Sequence, residues 1–124
     1  SATTKVRCRL TSSLFYSDWS RYNLGLGVGQ GIGVTALSDA ATTLTLDKGP
    51  ILTMVPTAAR NVTLPSEALS AGKIFFFTNN SGGANSVTFL ASGGGSIKGN
   101  GVCPQNKTIL LVCDGTNWSG NVSA

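Results

Sequence analysis

The chain has 124 residues, 41% of them hydrophobic and only 11% charged, with a net charge of +4 and no histidine. That is enough chain for one domain around a single core, and no apolar run reaches the roughly 20 residues that a bilayer-crossing helix requires. Without histidine a Ser-His-Asp or Cys-His nucleophile cannot be assembled, and Cys8, Cys103 and Cys113 include no CxxC pair that would signal zinc.

The charge is concentrated at the start. Residues 1 to 23 carry Lys5, Arg7, Arg9 and Arg21 against Asp18 alone, whereas the remaining residues are close to neutral. A basic arm on a neutral body points to an acidic partner surface. The same segment holds Phe15, Tyr16, Trp19 and Tyr22. Rings beside basic residues suit single-stranded nucleic acid, where bases stack and cations follow the phosphates. Here the charges mostly precede the rings, and no RNP-type motif occurs, so docking to a protein is expected and nucleic acid is not.

LGLGVGQGIGV, 24 to 34, places glycine at 25, 27, 29, 31 and 33. A dinucleotide fingerprint needs G-x-G-x-x-G, but the third glycine would fall on Gln30 or Ile32, and no G-K-[ST] ending follows. A two-residue period is that of a strand, with Leu24, Leu26, Val28, Gln30, Ile32 and Val34 on one face and bare backbone on the other. Five glycines carry an ordering cost of about 0.5 to 1 kcal/mol each, which suits a strand ordered by a partner chain; a hinge between arm and body is the alternative.

From residue 35 the pattern is one of short strands. T-L-T-L at 43 to 46 alternates, Ile51 to Val55 is an apolar run, and Asn61 to Leu64 alternates again before Pro65. PSEALSAG, 65 to 72, reads as one helical turn closed by Gly72. Lys73 to Thr78 contains I-F-F-F and belongs in the core. NNSGGANS, 79 to 86, is a turn leading to V-T-F-L; SGGGS, 92 to 96, is another, before a short strand at Ser96 to Lys98. GNGVCPQN is expected to be a loop, Thr108 to Val112 a strand, and DGTNW a turn into a last strand at Trp118 to Val122. Turn signals about every 8 to 12 residues indicate an all-β sandwich or barrel built from hairpins, with a body at 35–124 behind an extended arm at 1–34.

Asp18, Asp39, Asp47, Glu67 and Asp114 are scattered among turn-like contexts with no spacing that pairs two of them for acid/base work, so no enzyme activity, metal or cofactor is expected. Cys103 and Cys113 are expected to be buried free thiols; a bridge between them is the alternative. Five Asn-x-Ser/Thr triplets, at Asn61, Asn79, Asn106, Asn117 and Asn121, are what a chain rich in these residues makes by chance. The first residue is Ser, as after removal of an initiator Met, which would make this a complete gene product.

The ordered set T-L-T-L-D-K-G, N-V-T-L-P with a short helix and A-G-K, I-F-F-F-T-N, S-V-T-F-L-A, S-I-K-G, I-L-L-V-C and D-G-T-N-W, at 42 to 120, resembles the small β-domains of tailed-bacteriophage structural proteins. These include head decoration (cement) proteins and trimeric tail-fibre domains. The resemblance implies an antiparallel jelly-roll sandwich, a homotrimer, and a place on the outer surface of a virion capsid after synthesis in the host cytoplasm. The basic arm favours decoration, with the major capsid protein as partner, no membrane, and Lys5, Arg7, Arg9, Phe15, Tyr16, Trp19, Arg21, Tyr22, Leu24, Leu26 and Val28 as the docking residues. Trp118 and Phe75 to Phe77 are expected in the core or on the trimer axis. The alternative is a tail-fibre or receptor-binding domain that contacts the host surface through NNSGGANS and GNGVCPQN.

Overall fold

A computed structural model describes residues 33–124. These are nearly all β and wind into a β-solenoid of about three turns. Each turn places one strand in each of two sheets. β1 (Val34–Ala36), β3 (Ile51–Met54) and β5 (Ile74–Asn79) stack in parallel in the larger sheet. Between them, β2 (Thr42–Thr43), β4 (Arg60–Thr63) and β6 (Val87–Leu90) stack in parallel in the smaller one.

The last third of the chain closes the stack. β7 (Ile97–Gly99), β8 (Val102–Cys103), β9 (Thr108–Cys113) and β10 (Trp118–Val122) follow. β9 runs antiparallel to both β5 and β10, β10 parallel to β7, and β8 antiparallel to β6. The strand orders are therefore β1-β3-β5-β9-β10-β7 and β2-β4-β6-β8.

This overturns both the hairpin-built sandwich or barrel expected from the turn spacing and the antiparallel jelly-roll sandwich that the resemblance implied. The turns between β1 and β6 are corners, each carrying the chain to the opposite sheet, so strands adjacent in sequence do not pair. Gly, Pro, Asn and Asp serve a corner as well as a hairpin, because both need the same backbone angles. The stretch expected as a loop at GNGVCPQN also contains β8, paired with Val87 and Thr88. The PSEALSAG turn is a 3₁₀ turn at Glu67–Leu69, and Gly72, at φ 82°, follows it.

Alternation decides what lies inside. In the larger sheet Leu52, Phe77 and Ile109 form one inward row and Phe75 and Leu111 the next. The smaller sheet contributes Val62, Leu64, Val87 and Phe89. The sheets meet where Phe77 and Phe89 pack edge to face with ring centroids 5.1 Å apart. Trp118, fully buried, stacks on Phe75 at 5.7 Å, and its indole N–H donates to the Pro65 carbonyl at 3.1 Å, so its polar end is satisfied inside the core. Cys103 and Cys113 are buried and unbridged.

Asn79 ends β5 on the inward row yet is fully buried. Its amide group donates to the carbonyls of Asn85 and Cys103, both at 2.9 Å, and its Oδ1 accepts the Ser81 N–H at 3.0 Å. Ser81, also buried, donates to Pro56 O at 2.9 Å and accepts from the Asn85 amide at 3.0 Å. The turn at NNSGGANS is thus tied to two neighbouring segments through its own polar side chains.

At another corner Asp39 accepts from Arg60 Nε at 2.7 Å and from the Thr57 backbone and hydroxyl at 3.1 and 2.6 Å. These donors, Arg60 first and then Thr57, hold the Asp39 carboxyl down at about 2, against 3.8 ordinarily.

Two outcomes are expected. Replacing Asn79 with Leu strands the Ser81 N–H and two carbonyls in the interior and should lower the unfolding free energy by about 2 to 4 kcal/mol in urea titrations. The Asp39 contribution is present above about pH 3.8 and lost as pH falls through about 2. Asp39→Asn should therefore flatten the acid limb of the stability profile in that window while leaving the alkaline limb unchanged.

Candidate functional site

The two sheets turn unlike faces to solvent. On the larger sheet, register places Val34, Ile51, Phe76, Leu110 and Asn121 in one outward row, and Ile74, Val112 and Ser119 in the next. Val34 is 65% exposed, Ile74 48%, Leu110 40% and Phe76 39%. No Asp, Glu, Lys or Arg occurs in β1, β3, β5, β9 or β10; the first charge met is Lys98, on β7 at the edge. On the smaller sheet the outward positions are Thr43, Asn61, Thr63, Thr88, Leu90 and Val102, so two of the six are apolar.

The same alternation built both outer faces, so the fold does not require the first to be apolar. Strand positions that face water on one side ordinarily carry polar residues. The apolar part is a stripe, bounded by the outward row Ala36, Thr53, Thr78 and Thr108 and ending at Asn121 and Ser119, and an uncharged apolar stripe is the mark of a surface that a partner can cover. Full burial of a Phe or Leu side chain is worth about 1.5 to 3 kcal/mol, and covering Phe76 or Leu110, which are 39% and 40% exposed, recovers the corresponding part of it.

A second feature lies at the end of the solenoid where the 3₁₀ turn meets two loops. Glu67 and Ala68, Gly93 to Gly95, and Gly115 to Asn117 line a cavity of about 340 Å³. Glu67 is 2% exposed. Its Oε1 receives one long contact from the Gly95 N–H, at 3.4 Å, and its Oε2 has no hydrogen-bond partner. The glycines let the loop lie directly on this carboxyl: a Cβ on Gly93 would collide with Glu67 Oε1, and one on Gly95 with the Thr116 carbonyl. Outside the lining, Asp114 Oδ1 accepts the N–H groups of Thr116 and Asn117, both at 2.8 Å. These donors hold the Asp114 carboxyl below its ordinary range.

The docking residues expected from the sequence, Lys5, Arg7, Arg9, Phe15, Tyr16, Trp19, Arg21, Tyr22, Leu24, Leu26 and Val28, lie outside the described residues. Val34, last of the alternating stretch, begins β1 on the apolar face. The I-F-F-F run divides by alternation: Phe75 and Phe77 enter the core and Phe76 joins the outer face. Glu67 looks in sequence like a solvated residue of a short turn. The signal available for it was the glycine cluster at 93 to 95, which permits close approach but does not name what approaches.

Among the described residues, no group of three or more His, Cys, Asp or Glu side chains is placed to hold a metal ion, and no helix is long and apolar enough to cross a membrane. Cys103 is an unreactive thiol by position, pushed up to about 11 by burial. No family model, curated protein or solved structure matches this chain.

The tight loop over Glu67 makes one outcome specific. Gly95→Ala should cost about 1 to 3 kcal/mol of stability, as overpacked sites do. Gly82→Ala, where an added Cβ meets nothing within 4 Å, should stay within about 0.5 kcal/mol of the parent in the same urea titration.

Proposed function

We propose that this chain is a structural protein of a virion surface, a capsid decoration protein that self-associates through the outer face of its larger sheet and binds the shell as a homotrimer. The observation that supports self-association is the uncharged row Val34, Ile51, Phe76 and Leu110 with its neighbours Ile74 and Val112. A face without charge can pack on an apolar surface of a neighbouring copy, since neither side must desolvate an ion. The virion setting and the three-fold number rest on the resemblance of residues 42 to 120 to phage structural β-domains.

In this reading the body makes the oligomer and the basic, aromatic segment meets the major capsid protein. Phe15, Tyr16, Trp19 and Tyr22 supply buried anchors, and Lys5, Arg7, Arg9 and Arg21 meet acidic groups. A trimer presents three such segments at once. Individually weak contacts then add through effective concentration, and the shell is held across the joints between its subunits.

Sedimentation equilibrium at several concentrations tests the reading. The expected species has three times the 12.7 kDa chain mass. Phe76→Lys or Leu110→Lys should shift it to monomer, and Leu90→Lys, on the smaller sheet, should not. Deleting residues 1 to 23 should leave the oligomer intact and abolish co-sedimentation with capsids. A parent chain that is monomeric at every concentration, or a deletion that still binds capsids, would refute the corresponding half of the proposal.

A further inference from the structure

The corner between β7 and β8 holds Asn100 followed by Gly101, the one Asn-Gly step in the sequence. We propose that Asn100 is a self-modification site: its side-chain amide condenses with the Gly101 nitrogen to a succinimide, which water opens to aspartyl and isoaspartyl products. Asn100 lies outside the apolar stripe, so the reaction does not depend on how the chain assembles.

Three features of the folded corner promote this chemistry. The electrophile is activated: Asn100 Oδ1 accepts the Val102 N–H at 2.9 Å, so a donor already stands at the oxygen where negative charge develops as the amide carbon becomes tetrahedral. That bond also closes a ring containing the Gly101 nitrogen, which holds nucleophile and carbonyl carbon in one turn and makes the attack intramolecular. The nucleophile is free. Gly101 N–H donates no hydrogen bond among the described residues, whereas the N–H groups on either side are engaged by Gly120 O and Asn100 Oδ1. Gly101 has no Cβ to obstruct its own nitrogen. The leaving group is open to water, since Asn100 is exposed.

Water is the only co-reactant. Gly101 N gives its proton to solvent and bonds to Asn100 Cγ; the side-chain nitrogen takes up a proton and leaves as ammonia. Water then breaks one of the two imide C–N bonds. One cleavage restores the ordinary backbone with a carboxylate at position 100, and the other routes the backbone through the side-chain carbon. Either product adds one negative charge.

Asp114 followed by Gly115 is a control within the same chain. Its carboxyl is held below the ordinary range by the Asn117 and Thr116 N–H groups, so it stays ionised and is a poor electrophile. Its nucleophile is also engaged, because the Gly115 N–H donates to Cys113 Sγ at 3.4 Å. Every other asparagine precedes a residue with a side chain. The two products at 100 differ in fit: a Cβ on Gly99 would collide with the Gly120 carbonyl oxygen, and one on Gly120 with that of Asn100. An isoaspartyl residue adds a main-chain carbon at this corner and loosens β10 from β7.

The test is incubation of the full chain at physiological temperature and several mildly alkaline pH values, in buffer and in unfolding urea, followed by trypsin and mass spectrometry. The peptide from Gly99 to Lys107 is expected to exchange NH for O at position 100, and not at Asn106, with a rate proportional to hydroxide. This should occur in the folded chain before any change at another asparagine and without rearrangement at Asp114. Val102→Pro removes the donor to Oδ1 at the first residue of a strand, where proline is tolerated, and should slow conversion roughly tenfold or more in buffer but not in urea. Because that change can disturb β8, Gly101→Ala provides a second variant and should slow conversion in both solvents. A folded chain unchanged at position 100 overturns the inference, as does earlier conversion at any other asparagine or at Asp114. A folded-state rate that neither variant lowers overturns it as well.

Discussion

The contact between Phe77 and Phe89 is the point on which this architecture turns. A turn of the solenoid contributes only a few residues to each sheet, too few to bury an apolar face alone. The two parallel stacks are stable because their inner rows close on each other, and the edge-to-face ring pair sits at that closure. Around it Leu52, Val62, Val87, Ile109 and Leu111 complete a dry interior that strictly alternating strands can supply.

Parallel stacking then creates a difficulty at the corners, where backbone groups leave one ladder before entering the next. Asn79 resolves it from inside the core by spending its amide on two carbonyls and its oxygen on the Ser81 N–H. Trp118 does similar service at the other end, where its N–H meets Pro65 while its ring covers Phe75. Glu67 is the contrasting case. It is buried as deeply, but one oxygen has no partner, and the glycine loop that presses on it cannot supply one.

The outer faces follow from the same geometry and carry the functional argument. Every inward row has an outward row beside it, and the chain could have filled both outward rows with threonine and asparagine. On the smaller sheet it did so at Thr43, Asn61, Thr63 and Thr88 but not at Leu90 and Val102, and on the larger one it placed Val34, Ile51, Ile74, Phe76 and Leu110 beside a row of threonines.

What the sequence determined by itself was local. Short apolar runs, alternation at 61 to 64 and the turn signals between them located the strands at 51 to 54, 60 to 63, 74 to 79, 87 to 90, 108 to 113 and 118 to 122 to within a residue or two, because strand length and turn chemistry are local properties of the chain. The burial of Cys103 and Cys113 was legible from residue type, since an unbridged cysteine behaves as a small apolar side chain. Which strands pair was decided only by tertiary structure: a corner and a hairpin draw on the same residues, so turn chemistry could not distinguish a parallel solenoid from an antiparallel sandwich. The pocket was hidden for a related cause. Glu67 and Gly95 are far apart in sequence, and only the closing of the last strands onto the stack brings a glycine loop down on a carboxyl that the sequence shows as an ordinary turn residue.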